Sequence, residues 1–338
     1  MMSVEFLLAS VVVSSLVIYA LSGGADFGGG AWSLFARGER KEQQQNLIER
    51  AIAPIWETNH VWIILVIVVL FVAYPLAFSS IATSLHIPLT VMLIGIVLRG
   101  CAFIFRAYGM KDDKKLRDFW EKVFGISSLL TPITFGVVVA AVANGKLRVD
   151  VENTKVMTDF VEAWWGIFPF SVGIFTLFTF MFLAAVYLIC EAGEQKLQND
   201  FRIRAVCSAA LLDLTAMWCL YLSRSHAPLF WQGLWSSKYA IFFHGCGMVL
   251  ATSIFFTLWK RQYKMVRVLA MTKVICIVLG WAVCQFPFLV VPDLTIYTAT
   301  APKNVLYMMT TIIFLGMIVT VPALYYLFYV FKRDKEVS

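Results

Sequence analysis

Charge is scarce in this chain. Asp, Glu, Lys and Arg make up 14% of its 338 residues and hydrophobic residues 60%, whereas a soluble domain averages about 25% charged and about 45–50% apolar. A water-filled exterior around a single core is therefore excluded. Histidine is equally sparse, with only His60, His86, His226 and His244. The seven cysteines (Cys101, Cys190, Cys207, Cys219, Cys246, Cys276 and Cys284) include no C-x-x-C pair and no metal-ligand spacing. They read as small buried apolar side chains. No metal site is expected. No stretch rich in Pro, Gly or Ser divides the chain, and no basic region precedes the first apolar run, so a cleavable signal is not expected.

What is abundant is the long apolar run. A bilayer core of about 30 Å needs about 20 apolar residues in a helix. Nine such spans are predicted, at 4–22, 61–80, 87–105, 124–143, 166–190, 205–223, 239–259, 270–291 and 305–331. The first is expected to continue helically toward Phe35, because only glycines interrupt it. The expected fold is an all-α polytopic membrane protein. It divides into a first four-helix unit (1–143), a second (164–291) and an additional helix (305–331).

The net charge of +7 does not imply nucleic acid, because the basic residues collect in alternate connecting segments. Counting Lys273 with the segment after span 7, 21 lie after odd-numbered spans and six after even-numbered ones, with Arg99 inside span 3. This bias predicts an external N-terminus and a cytoplasmic C-terminus.

Against this apolar background a few polar groups stand out. Asp26 lies in Ser22-Gly23-Gly24-Ala25-Asp26-Phe27-Gly28. Gly24 and Gly28 are four apart, so one helix face lacks side chains and a neighbouring helix can approach closely. Asp26 then reads as a proton carrier or a partner for a buried cation. The competing reading is a carboxylate at a helix end meeting cytoplasmic water. Trp56-Glu57-Thr58-Asn59-His60-Val61-Trp62 places Glu57 and His60 three apart, on one helical face. An interfacial belt accounts for Trp56 and Trp62, but it needs no acid, amide and imidazole together. Arg99 sits inside an apolar span, where a charge usually faces protein and serves a function. It suits an ion pair with Asp26, Glu57 or a partner's carboxylate, or a place beside an anionic cofactor group. His60 falls at the inner end of span 2 and His244 near the outer end of span 7, so the two are not expected to sandwich one iron. Asp213 and Gln285 are isolated and read as helix–helix hydrogen-bonding groups.

Taken together, Gly24-Ala25-Asp26-Phe27-Gly28, Trp56 through Trp62, Leu98-Arg99-Gly100 through Phe105-Arg106, and Trp281 through Ile296 resemble subunit II of cytochrome bd quinol oxidase. The four motifs occur in the family's order along the whole chain. The resemblance implies a partner, subunit I, in the bacterial inner membrane. That partner carries two b-type haems, one d-type haem and the quinol-oxidising loop. The complex oxidises quinol, reduces oxygen to water with protons taken from the cytoplasm, and so builds a membrane potential. Subunit II is implied to ligate no haem, to stabilise subunit I and to supply part of a proton path through Asp26 and Glu57. Trp56, Asn59, His60 and Arg99 would be relay or haem-proximal positions. Some family members hold a quinone structurally, and small single-helix accessory subunits, quinol through subunit I and membrane lipid complete the implied partners. The sequence departs from the family's usual Trp-Asp-Gly-Asn-Glu-Val-Trp. Glu57 keeps an acid one methylene longer, while Thr58 replaces glycine and His60 replaces a carboxylate.

A secondary transporter or channel whose intramembrane charges bind a solute is the alternative. That class favours paired broken half-helices at the midplane, and the breaks at Pro75, Pro169, Pro287 and Pro322 do not pair in that way.

Overall fold

The computed structural model describes residues 3–52, 56–108 and 114–333. Lys111, Lys335 and the Pro54-Ile55 pair before the tryptophan motif lie outside them. The chain is helical almost throughout. Helix α1 (Val4–Leu34) is capped at its start by Ser3, whose hydroxyl accepts from the Phe6 amide. It runs unbroken through the glycines to the predicted limit near Phe35. A polar helix α2 (Lys41–Ile52) follows and buries Gln44, Ile48 and Ile52 at four-residue spacing. No sequence reading anticipated it, because only that thin stripe distinguishes it from a solvated loop.

Next come α3 (Trp56–Ala73), α4 (Pro75–Ser84) and α5 (His86–Tyr108). The second predicted span, 61–80, is thus shifted toward the N-terminus and stops at Tyr74. Pro75 supplies no amide and pushes the preceding residue out of helical geometry, and Tyr74 indeed has φ −132° and ψ 59°. Its buried hydroxyl donates to the Glu5 carbonyl at 2.5 Å. Helix α6 (Lys114–Ala143) leads to a short antiparallel pair, β1 (Val149–Asp150) and β2 (Lys155–Val156).

The second half of the chain comprises α7 (Ile167–Glu191), α8 (Gln195–His226), the short α9 (Pro228–Ser236), α10 (Lys238–Trp259) and α11 (Tyr263–Gln285). Helix α11 ends six residues before the predicted limit of 291. Phe286 precedes Pro287 and takes an extended conformation, and the chain then forms β3 (Phe288–Val290) and β4 (Leu294–Thr295), paired antiparallel. Helix α12 (Lys303–Arg333) closes the chain. Nine helices among the described residues are long and apolar enough to cross a membrane: α1, α3, α5, α6, α7, α8, α10, α11 and α12.

Helix α7 is the hub. It is apolar on every side and buries a continuous run from Thr179 to Val186, as expected of a helix surrounded by protein. Helices α1, α6, α8 and α11 all pack on it. Helices from both halves of the chain therefore share one core, in which Phe27, Phe124, Phe182, Leu258 and Val274 belong to a single apolar cluster. A second cluster joins Leu8, Val69, Tyr74, Val290 and Leu306 near the β-hairpins. There Arg148 holds Asp293 through Nε at 2.8 Å and Nη2 at 3.1 Å, and the Val149 amide donates to the same carboxylate. This exposed pair raises the Arg148 pKa, first through the hydrogen bond to Asp293 and then through its charge.

Two sequence expectations need correction. Lys273 belongs not to a connecting segment but to the middle of α11, where it is 4% exposed and bonded to Asp213 of α8. Asp213 thus bonds between helices, as its sequence reading expects, and does so as one half of an intramembrane ion pair. Of the cysteines, only Cys284 is buried, and Cys207 is exposed.

Candidate functional site

Four helices bring the polar residues of the sequence to one place. Gly24 and Gly28 lie on the face of α1 that meets α7. A Cβ at Gly24 would stand 2.6 Å from the Phe180 ring, and one at Gly28 would run into the Phe180 carbonyl. With α1 pressed on α7 in this way, Asp26 points into the bundle and is 5% exposed. The Asn59 amide of α3 donates to its Oδ2, and Asn59 is itself buried.

Arg99 of α5 lies in the same region and is 2% exposed. It does not snorkel. Its guanidinium rests 4.7 Å from the Phe27 ring centroid and 5.4 Å from that of Phe124. Asp26, Tyr19, His60 and Arg106 lie within its electrostatic reach. It makes no direct ion pair with a described residue, and its Nε and Nη2 find no hydrogen-bond partner among them. The expected contact with Asp26 is therefore one of charge through the protein interior, with a cation–π contact to Phe27 beside it.

The tryptophan motif divides between inside and outside. Trp56 packs on Phe103 at 5.7 Å between ring centroids and covers Gly100. His60 stands between Tyr19 and Phe27, at 6.1 Å and 6.2 Å, with its buried Nδ1 unpartnered among the described residues. Glu57 points the other way and is exposed on α3. The structure thus brings Asn59, not Glu57, to Asp26.

A second charged layer was missed by sequence reasoning. Arg106, one side of whose guanidinium lies 4.9 Å from Phe124, holds Glu121 of α6 at 2.6 Å and Glu49 of α2 at 3.0 Å. Glu121 also accepts from the Ser33 hydroxyl and, at 3.0 Å, from the Gln45 amide. The available signal was spacing: Arg99 and Arg106 are seven residues apart, as are Asp26 and Ser33, so each pair shares a helix face two turns apart.

The histidines do not assemble a haem-ligating pair. His86, His226 and His244 each place Nδ1 on a backbone carbonyl of their own segment. His60 and His244 stand on α3 and α10, and no ring contact or hydrogen bond joins them. Among the described residues no cluster of three or more His, Cys, Asp or Glu could hold a metal ion.

Comparison with known proteins agrees with this architecture. The chain is 23% identical over 341 residues to the putative cytochrome bd menaquinol oxidase subunit II of Bacillus subtilis, covering 97% of this chain and 95% of that one. It is 22% identical over 210 residues to the cytochrome bd-I ubiquinol oxidase subunit 2 of Escherichia coli, covering 61% and 54%. Its fold matches the bd oxidase structure from Geobacillus thermodenitrificans with a TM-score of 0.81 at 20% identity, over 98% of this chain and 99% of that one. The sequence profile of cytochrome bd terminal oxidase subunit II matches residues 4–331, and the chain belongs to that family, the multi-pass membrane subunit of a haem-dependent quinol oxidase.

Proposed function

We propose that this chain stabilises the haem-bearing subunit I and carries protons from the cytoplasm toward the site of oxygen reduction through Asp26. The observation behind this reading is the buried Asp26 carboxylate, bonded to Asn59 and facing the charge of Arg99 inside an otherwise apolar bundle. An ionisable group at such depth is costly and marks a functional position. A carboxylate can accept a proton at the layer of Asn59 and His60 and release it toward the partner. Glu57 would take the next step. It stands on the outer face of α3, where hydrocarbon would oppose its charge and subunit I would cover it. With the N-terminus outside, the turn after α1 faces the cytoplasm and α2 lies at the uptake side. Taking protons from that side for water formation builds a membrane potential.

The two b-type haems and the d-type haem belong, in this reading, to subunit I. They supply the electron transfer and oxygen chemistry, and this chain's residues bind none of them. For a structural quinone the candidate place is a small, half-open cleft. A cavity of about 200 Å³ between α9 and the end of α11 is lined by Phe230, Gln232, Ser236, Gln285, Phe286 and Phe288, among others. The buried Gln285 Oε1 has no partner among the described residues, so a quinol hydroxyl would satisfy it between aromatic walls.

Asp26→Asn and Glu57→Gln in the complete complex test the proton reading. Each should slow quinol oxidation in proteoliposomes by at least about tenfold, equivalent to ~1.4 kcal/mol of barrier, at unchanged haem content. Wild-type turnover and charge movement in both variants would place the path wholly in subunit I.

A further inference from the structure

We infer that Glu121, with the hydroxyls of Ser33 and Ser128, forms the route that delivers protons from the α2 end of the bundle to Asp26. The inference rests on the reading of Asp26 as a proton carrier and adds the residues that feed it.

The two charged layers lie two helical turns apart on both α1 and α5, about 10 Å at 1.5 Å per residue. No direct proton transfer spans that distance. The space between them is not uniformly apolar. Helix α6 carries a buried polar stripe, Ser127, Ser128, Thr131 and Thr134, that runs on from Glu121 toward the other end of the bundle. Each of these hydroxyls donates to a carbonyl one turn back on α6. That arrangement leaves oxygen lone pairs free to accept. Ser128 is fully buried and lies directly against Gly30 of α1, where a side chain of any size would collide with its Oγ. Gly30 sits between Ser33 and Asp26 in sequence and on the helix. The missing side chain therefore opens α1 to a hydroxyl midway between the two layers.

Glu121 is suited to the cytoplasm-facing end of this route. Its side chain is 15% exposed, and Arg106, Gln45 and Ser33 fix both oxygens. The charged and titratable groups facing it are Arg106 from α5 and Glu49 from α2; α1 contributes only the Ser33 hydroxyl. Glu49 is more exposed, at 35%, and shares Arg106. A proton taken from water by Glu49 or Glu121 neutralises one of two carboxylates around a single guanidinium, and the other keeps Arg106 paired. The Glu121 acid then gives its proton to the hydroxyl chain and regains its negative charge; each hydroxyl accepts on a lone pair as its own hydrogen turns from its present acceptor and is handed on, and Asp26 becomes the neutral acid at the far end. Phe124, which both Arg99 and Arg106 face, lies against Gly30 beside Ser128.

The test uses the complete oxidase complex in proteoliposomes with quinol as electron donor. Glu121→Gln should slow oxygen consumption at least fivefold at neutral pH with haem content intact, and acidifying the α2 side should restore the rate. Glu121→Asp should keep most of it. Ser128→Ala, which removes the hydroxyl without adding volume, should slow turnover at least twofold with the same recovery in acid. Rates that stay at wild type in Glu121→Gln and Ser128→Ala while Asp26→Asn is slow overturn the route but leave the role of Asp26 standing. A loss that is flat with pH shows a structural role and also overturns it. Should Glu121→Gln fail to assemble, Ser128→Ala decides alone. A wild-type rate in Asp26→Asn itself removes the reading on which the route rests.

Discussion

Arg99 is the residue on which the inner layer depends. It is buried with two nitrogens unpartnered among the described residues, its guanidinium lies over the Phe27 ring, and its charge acts on Asp26. Replacing it with leucine would leave Asp26 without a compensating charge in a low-dielectric core. Because Arg99 and Asp26 are not in direct contact, the loss should be smaller than the about 3–5 kcal/mol of a directly bonded buried pair. Arg99→Leu is expected to lower the yield and haem occupancy of the assembled complex, while Arg99→Lys, which retains the charge, should lose less. Equal haem content in Arg99→Leu and wild type, measured by optical spectrum of the purified complex, would contradict this. At this scale much was legible in the sequence. Asp26, Arg99 and the glycines announced themselves as polar or vacant positions in apolar runs. The direction of Glu57 was not legible, because a three-residue spacing puts Glu57 and His60 on adjoining positions without saying which one the core takes.

Among the elements, α8 and α11 are joined across α7 by the Asp213–Lys273 pair. Lys273 Nζ also lies 6.0 Å from the Phe182 ring of α7. The sequence presented these residues as an isolated acid and a lysine near the start of a span, counted with the segment before it, since nothing in either segment reveals that the two lie within bonding distance of each other. Lys273→Met should leave Asp213 unpaired inside the membrane and lower the thermal stability of the complex. Adding Asp213→Asn should recover much of the loss, because replacing both partners of a buried pair is far less costly than removing one. A double variant no more stable than Lys273→Met, measured as the midpoint of haem loss on heating, would show that the pair is not coupled. Helix limits followed the same logic of local against distant causes. Apolar length marked all nine spans, and proline explains the stops at Tyr74 and Gln285. The polar α2 escaped notice because its identity depends on tertiary burial of Gln44, Ile48 and Ile52 against residues far away in sequence.

For the whole molecule the open quantity is direction across the membrane. The fold is two-ended. One end carries the β-hairpins, locked by Arg148–Asp293, and the other carries α2 with Arg40 bonded to Asp200 and Gln44 shared between Asp200 and Arg204. Moving Lys273 into α11 lowers the basic count after odd-numbered spans by one, which leaves the asymmetry against six essentially intact. Cytoplasmic segments retain the positive charge, so the α2 end should face the cytoplasm and the hairpin end the outside. The proton reading demands the same sense, because Glu49 and Glu121 lie at the α2 end and uptake for a membrane potential must come from within. Reporter fusions after residue 150 should therefore read external, and fusions after residue 265 cytoplasmic. The reverse pattern would put the carboxylates of Glu49 and Glu121 on the outside, where proton uptake for water formation would build no potential. Orientation and proton path thus stand or fall on one experiment, although they were argued from different residues.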